Sequence, residues 1–316
     1  MTSQYPSATC AIGAGVRCAP QRMWRHRGVE LAGWQIRTMS SEAIALVLLA
    51  AVLHAAWNAL VKASGDRSVT LALIALGHLL LGIVIALNTP LPGWEALPFI
   101  VVSTVIHWGY YWAIFHSYRL GDLSLIYPLS RGLAPLLIAL SAVLIIGEGL
   151  TVSGWTGIAA ISVGIALLSL GAWWRGVDRL ALLLGLLLAV IIASYSLVDG
   201  IGARLASSSL SYMAWLFILE GIAAGWLAWR RRQVLRRLAF RQWAVGLGGG
   251  VASALAYGLA IHAMTLAPVA LVSAVRETSV VIAALIGTVL FKERPIVPRL
   301  LAACIVVAGV FAIALW

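Results

Sequence analysis

The chain has 316 residues, of which 62% are hydrophobic and only 10% charged, with a mean hydropathy of +0.99. Soluble domains carry about 25% charge, so this composition excludes an ordinary water-facing surface and makes lipid the natural solvent. The net charge of +11 does not mark a nucleic-acid binder. Six arginines (Arg230, Arg231, Arg232, Arg236, Arg237 and Arg241) lie together beside an apolar segment, where basic residues report orientation or contact with anionic lipid. Cys10, Cys18 and Cys304 lack metal or disulfide spacing, and no cofactor or metal is expected.

Residues 1–38 contain no long apolar run and no signal-peptide core. They are read as an N-terminal tail, either disordered or upstream of a natural start at Met39. A membrane helix needs roughly 20 mostly apolar residues, and ten segments qualify: 42–62, 69–88, 96–118, 123–146, 151–172, 180–202, 208–229, 243–265, 268–291 and 297–315. The connections are too short to hold a soluble domain. The expected fold is therefore an all-α membrane protein with ten transmembrane helices.

A spacing of 145 residues links the two halves. Arg131 falls on Arg276, Glu148 on Glu293 and Gly164 on Gly309 (131 + 145 = 276; 148 + 145 = 293; 164 + 145 = 309). Residues 39–174 and 178–316 thus read as two copies of a five-helix unit. An odd number of crossings makes the second copy enter the membrane upside down, a construction common among secondary transporters. Basic residues concentrate in the loops after odd-numbered segments, which by the positive-inside rule places both termini outside.

Polar groups inside the segments are the candidate site, since ionisable residues within hydrocarbon face the bundle interior. His54 and Asn58 share a face of the first segment, with Trp57 beside it. His107 and Tyr111 share one face of the third, and Trp108 and Trp112 another. In the fourth, Tyr127 and Arg131 share a face, and Pro128 and Pro135 are expected to loosen the helix. Arg276 of the ninth segment is expected to face the centre opposite Arg131, and Tyr257 and His262 of the eighth occupy the place that matches the aromatic face of the third. Glu277, Asp199 and Glu220 are candidates for proton coupling or ion pairing. Asp199 is expected to pair with Arg204 or another basic residue; Glu220 is read as a proton site if buried without a partner, and otherwise as a lipid-edge or structural residue. Glu148 and Glu293 are read as helix-end structure. Gly246, Gly248, Gly249 and Gly250 permit close packing or a flexible break, and they form no phosphate-binding loop. Neither HExxH nor a serine elbow is present, so an enzyme is not expected.

Three stretches carry a family likeness: HAAWNALVKASGD (54–66), YRLGDLSLIYPLSRGLAPLLIALSAVLIIGEGL within 118–168, and AMTLAPVALVSAVRETSVVIAALIGTVLFKERP within 263–315. They resemble the drug/metabolite transporter superfamily, in particular transporters with two EamA-type repeats. The resemblance implies two inverted five-helix repeats, a central cavity, cytoplasmic termini and a place in a bacterial inner membrane. The termini conflict with the charge count. Export of a small polar metabolite by alternating access is the implied activity.

The two arginines point to a carboxylate, which a guanidinium holds by two parallel hydrogen bonds. An amino acid or small organic acid is the expected cargo, with membrane lipid and possible protons as the other partners. A flippase for a lipid or lipid-linked metabolite would need a cavity opening sideways. A scaffold or sensor would have a packed centre. Oligomeric state is open.

Overall fold

The computed structural model describes residues 38–63, 67–120, 123–168, 178–230, 232–290 and 296–315. Glu293 and the N-terminal tail lie outside the described residues, as do the side chains of Lys62 and Arg231. Every regular element among the described residues is helical. They are α1 (Ser41–Ala63), α2 (Arg67–Ala86), α3 (Leu97–Leu120), α4 (Leu123–Ser141), α5 (Val152–Leu167), α6 (Arg179–Leu205), α7 (Ser209–Arg230), α8 (Phe240–Leu266), α9 (Val269–Arg276), α10 (Thr278–Leu290) and α11 (Val297–Ala314). A single turn, Arg232–Leu235, follows α7. With α9 and α10 taken as one, nine spans among the described residues are long and apolar enough to cross a membrane, and α5 is a shorter apolar helix. The protein is an integral membrane protein.

Hydrophobicity makes these helices, and local polar groups start several of them. The Thr151 hydroxyl accepts from the Gly154 amide at 2.9 Å where α5 begins. The Asp178 carboxylate accepts from the Leu180 amide at 3.1 Å where α6 begins. Each satisfies an amide that a helix start leaves without a partner. Leu49, Val84, Val102, Leu187 and Val307 are exposed on the outside of the bundle, as lipid contact requires.

Two details differ from the sequence expectation. Pro128 and Pro135 both lie inside a continuous α4. Instead of breaking there, the span ends in a wide π turn, Ala142–Ile146, closed by Gly147 at φ 77°. The ninth span is not continuous. It breaks at Glu277, whose amide bonds Ala274 O, while Val280 N bonds Glu277 O. Both bonds span three residues, so the chain tightens at the point where its charges sit.

The helices pair as follows: α5 with α11, α2 with α7, α4 with α9, α1 with α8, α3 with α6, α4 with α6, α1 with α10, α2 with α8, and α3 with α7. Exchange each span with the one five places later. Every pairing named here then maps onto another of the set or onto itself.

The α5–α11 contact is reciprocal at residue level. A Cβ on Gly157 would lie 2.7 Å from Gly309 O, and one on Gly164 would lie 3.1 Å from Ala302 O. Because 309 = 164 + 145 and 302 = 157 + 145, the two contacts exchange partners under the same shift. Small residues allow this close approach without bulky side chains. Gly157→Val is expected to lower the thermal midpoint of the detergent-purified protein, at a cost of about 1–3 kcal/mol from overpacking. Gly248→Ala meets nothing within 4 Å and is expected to leave the midpoint unchanged. Equal midpoints for the two variants would disprove the contact.

Candidate functional site

Buried polar and ionisable side chains on α3, α4, α6, α7 and α9 gather in the interior, with Tyr257 of α8 among them. Arg131 of α4 and Glu277, at the break after α9, form an ion pair with 3.0 Å between Arg131 Nη1 and Glu277 Oε1. Both side chains are buried. Arg131 also lies 5.6 Å from the centre of the Tyr127 ring. The counter-ion of Arg131 is thus supplied by the other half of the chain.

Arg276 is different. It is only 7% exposed. Its described contact is cation–π, with Cζ 5.2 Å from the centre of the Tyr257 ring. Among the described residues no carboxylate lies within ion-pair distance of it, and Glu277, its chain neighbour, turns to Arg131 instead. The one-residue step explains the split, because successive helical residues point about 100° apart.

Around these arginines several buried polar atoms have no hydrogen-bond partner: His54 Nε2, Trp57 Nε1, Ser273 Oγ and Glu277 Oε2. His54 and Trp57 meet edge to face at 5.2 Å. Their helix, α1, packs against both α9 and α10. His54 is within electrostatic reach of both Arg131 and Arg276. Asn58 is engaged locally, donating to His54 O at 2.7 Å.

A second group holds the remaining acids. Asp199 is buried and does not pair with Arg204, contrary to the sequence expectation. The Tyr212 hydroxyl donates to its Oδ1 at 2.8 Å, and the Tyr257 hydroxyl donates to its Oδ2. Arg204 is turned away to Glu148. Its Nη2 donates to Glu148 Oε1 at 2.9 Å and to Ala267 O at 3.0 Å, and its Nε to Met264 O at 2.8 Å. Glu148 Oε1 also accepts from the Val269 amide at 3.0 Å. This pair therefore ties the end of α8 to the start of α9, where carbonyls and amides lack helical partners. Glu148 touches helix ends and lies apart from the arginine centre.

Glu220 is not partnerless either. Tyr111 Oη donates to its Oε2 at 3.3 Å, and His107 Nδ1 lies 3.3 Å from its Oε1. His107 stacks on Tyr195 at 4.4 Å and meets Tyr257 edge-on at 5.6 Å. Tyr257 links the two groups, with Arg276 over its ring and Asp199 at its hydroxyl. On the same helix as His107, Trp112 is 60% exposed and belongs to the outer face.

The Arg131–Glu277 pair and the tyrosines close the middle of the bundle. A cleft of about 310 Å³, counting the open space at its mouth, reaches Arg131 past Tyr110, Ile114, Ile126, Tyr127 and Leu188. No group of His, Cys, Asp or Glu side chains among the described residues is placed to hold a metal. Tyr212, the partner of Asp199, was not legible in the sequence, because it lies 13 residues away on the next helix.

Comparison with known proteins agrees with this architecture. Residues 179–315 match the EamA-like transporter family. No curated protein matches the chain. A solved structure described only as a crystal structure of a protein superposes with a TM-score of 0.69 at 20% identity, over 87% of this chain and 98% of that one. At that identity the likeness speaks for the fold alone. The match and the helical membrane architecture support transport, and residues 179–315 are the part of this chain that is similar to EamA-like transporters.

Proposed function

We propose that the protein is a secondary transporter, an exporter of a bacterial inner membrane, that carries a small amino acid by alternating access. The observation that carries the reading is the buried guanidinium of Arg276, which has no carboxylate partner. A buried charge in that state is costly, and a substrate carboxylate is the group that would relieve it. The second vacancy, Glu277 Oε2, is an acceptor suited to an ammonium group. A donor for a carboxylate beside an acceptor for an ammonium favours an amino acid over a plain organic acid. The Tyr257 and Tyr195 rings would receive the apolar part.

The Arg131–Glu277 pair joins the two halves across the site, and the cleft reaches Arg131. Opening would require the Arg131 half and the Glu277 half to part on one side of the membrane at a time. The exchange of helix pairings between the halves, and the reciprocal Gly157/Gly309 and Gly164/Ala302 contacts, support two inverted repeats as the moving parts.

Thermal stabilisation of the detergent-purified protein tests the reading. The panel pairs each amino acid with the acid that lacks its amino group. A ligand that binds only the folded state raises apparent stability by linkage. A saturable shift is expected with one or more amino acids and a much smaller one with their deaminated partners. Equal shifts within each pair would replace the amino acid by an organic acid. No shift from any member of the panel would overturn the proposal.

A further inference from the structure

Four buried acids are described in the interior, and they differ in what stabilises a negative charge. Glu277 faces the Arg131 guanidinium at 3.0 Å, and a proton there would leave that arginine without a counter-charge. Glu148 faces Arg204 and a backbone amide. Asp199 has no arginine, but each of its oxygens accepts a tyrosine hydroxyl. Glu220 has neither arrangement. It is 6% exposed, no arginine or lysine among the described residues pairs with it, and its Oε1 makes no hydrogen bond.

The titratable and charged groups on the elements packed against α7 are these, of which His107 and Tyr111 approach Glu220 directly. From α3 come His107 and Tyr111, each with a 3.3 Å approach. From α6 comes Asp199, joined to α7 through Tyr212. From α2 comes His78, whose ring lies 4.9 Å from that of Phe217. From α8 come Tyr257, 6.5 Å from the Phe217 ring, and His262, bonded to Ser209 at the far end of α7. The turn after α7 adds Arg232, which lies over Trp229.

His107 divides its contact between Glu220 and the backbone. Its Nδ1 lies 2.9 Å from Ser103 O, an atom that can only accept. The Nδ1 hydrogen is therefore directed at the backbone, and Glu220 Oε1 receives at most a share of it. A carboxylate held in hydrocarbon by one long hydroxyl bond and a shared N–H is poorly compensated. Adding one proton removes the charge and strands no partner.

We infer that Glu220, set between His107 and Tyr111, is a proton-binding site, distinct from the arginine centre. In this closed conformation the side chain is a neutral carboxylic acid. Its ligand is a hydrogen ion, bound by forming one O–H bond on the carboxyl group and lost as the same ion when α3 and α7 separate enough to admit water. Loading of a proton at Glu220 and loading of cargo at Arg276 are thereby linked through His107 and Tyr257: His107 lies beside Glu220 and meets the Tyr257 ring, which carries Arg276.

Infrared spectroscopy of the purified full-length chain tests this without any substrate, so its failure is separable from failure of the amino acid reading. At neutral pH the wild type is expected to show the carbonyl stretch of a buried protonated carboxyl. Glu220→Gln is expected to lose that band, while Glu277→Gln and Asp199→Asn keep it. Tyr111→Phe leaves residue 220 in place and is expected to shift the band, because it removes a hydrogen bond to the same group. Absence of the band in the wild type overturns the inference. So does its survival in Glu220→Gln, or an unshifted band in Tyr111→Phe.

Discussion

Replacing Glu277 by alanine is expected to destabilise the folded protein by about 3–5 kcal/mol. The reason is the asymmetry of a buried ion pair. While the pair is intact, Arg131 and Glu277 offset each other's burial at 3.0 Å. Removing the acid leaves the guanidinium in the interior with no counter-ion. The double variant Arg131→Met/Glu277→Leu removes both charges and is expected to recover most of the loss, as buried pairs exchanged for apolar residues commonly do. Thermal or denaturant unfolding of the detergent-purified variants measures this coupling. If the single and double variants were equally unstable, the two residues would not act as a pair.

Arg276→Ala is expected to behave in the opposite way. The unliganded protein should be as stable as the wild type or more so, because the residue removed is a buried charge without a counter-ion. The amino acid response should be lost. Truncating one member of a buried, hydrogen-bonded charge pair costs about 2–5 kcal/mol of binding, which is at least a ~30-fold weaker Kd. The same thermal assay, with and without the stabilising amino acid, reads both quantities. A large fall in the unliganded midpoint, with ligand response retained, would assign Arg276 to structure. The two arginines match under the 145-residue shift, yet these variants are predicted to differ in sign.

Most of the architecture was legible in the sequence because hydrocarbon imposes a simple rule. A span needs length and apolarity, and the ten segments read from those properties lie within a few residues of the helices. What failed was the contacts. The break at Glu277 has no proline or glycine to announce it, and Pro128 and Pro135, which do look like breakers, sit in an unbroken α4. Asp199 was matched to Arg204 because they share a helix and opposite charge. The fold instead gives Arg204 the carbonyls at the end of α8, and gives Asp199 two hydroxyls from α7 and α8. Glu277 as partner to Arg131, 146 positions away, depends on how α4 meets α9. Such pairings depend on tertiary placement, and neither periodicity nor hydropathy encodes it.

The acid beside Arg276 has no twin. Shifted by 145, Glu277 falls on Gly132 (277 − 145 = 132), and a Cβ there would lie 3.1 Å from Ser162 O, so even the first carbon of a glutamate side chain would be crowded. A centre with identical halves would offer a bound molecule two equivalent poses. Under the proposed amino acid reading, Arg276, Glu277 Oε2 and the Tyr257 ring would instead make three unequal contacts with one bound molecule. Three unequal contacts distinguish a molecule from its mirror image. Under that reading the cargo would be selected by handedness, an asymmetry that the crowding at Gly132 favours.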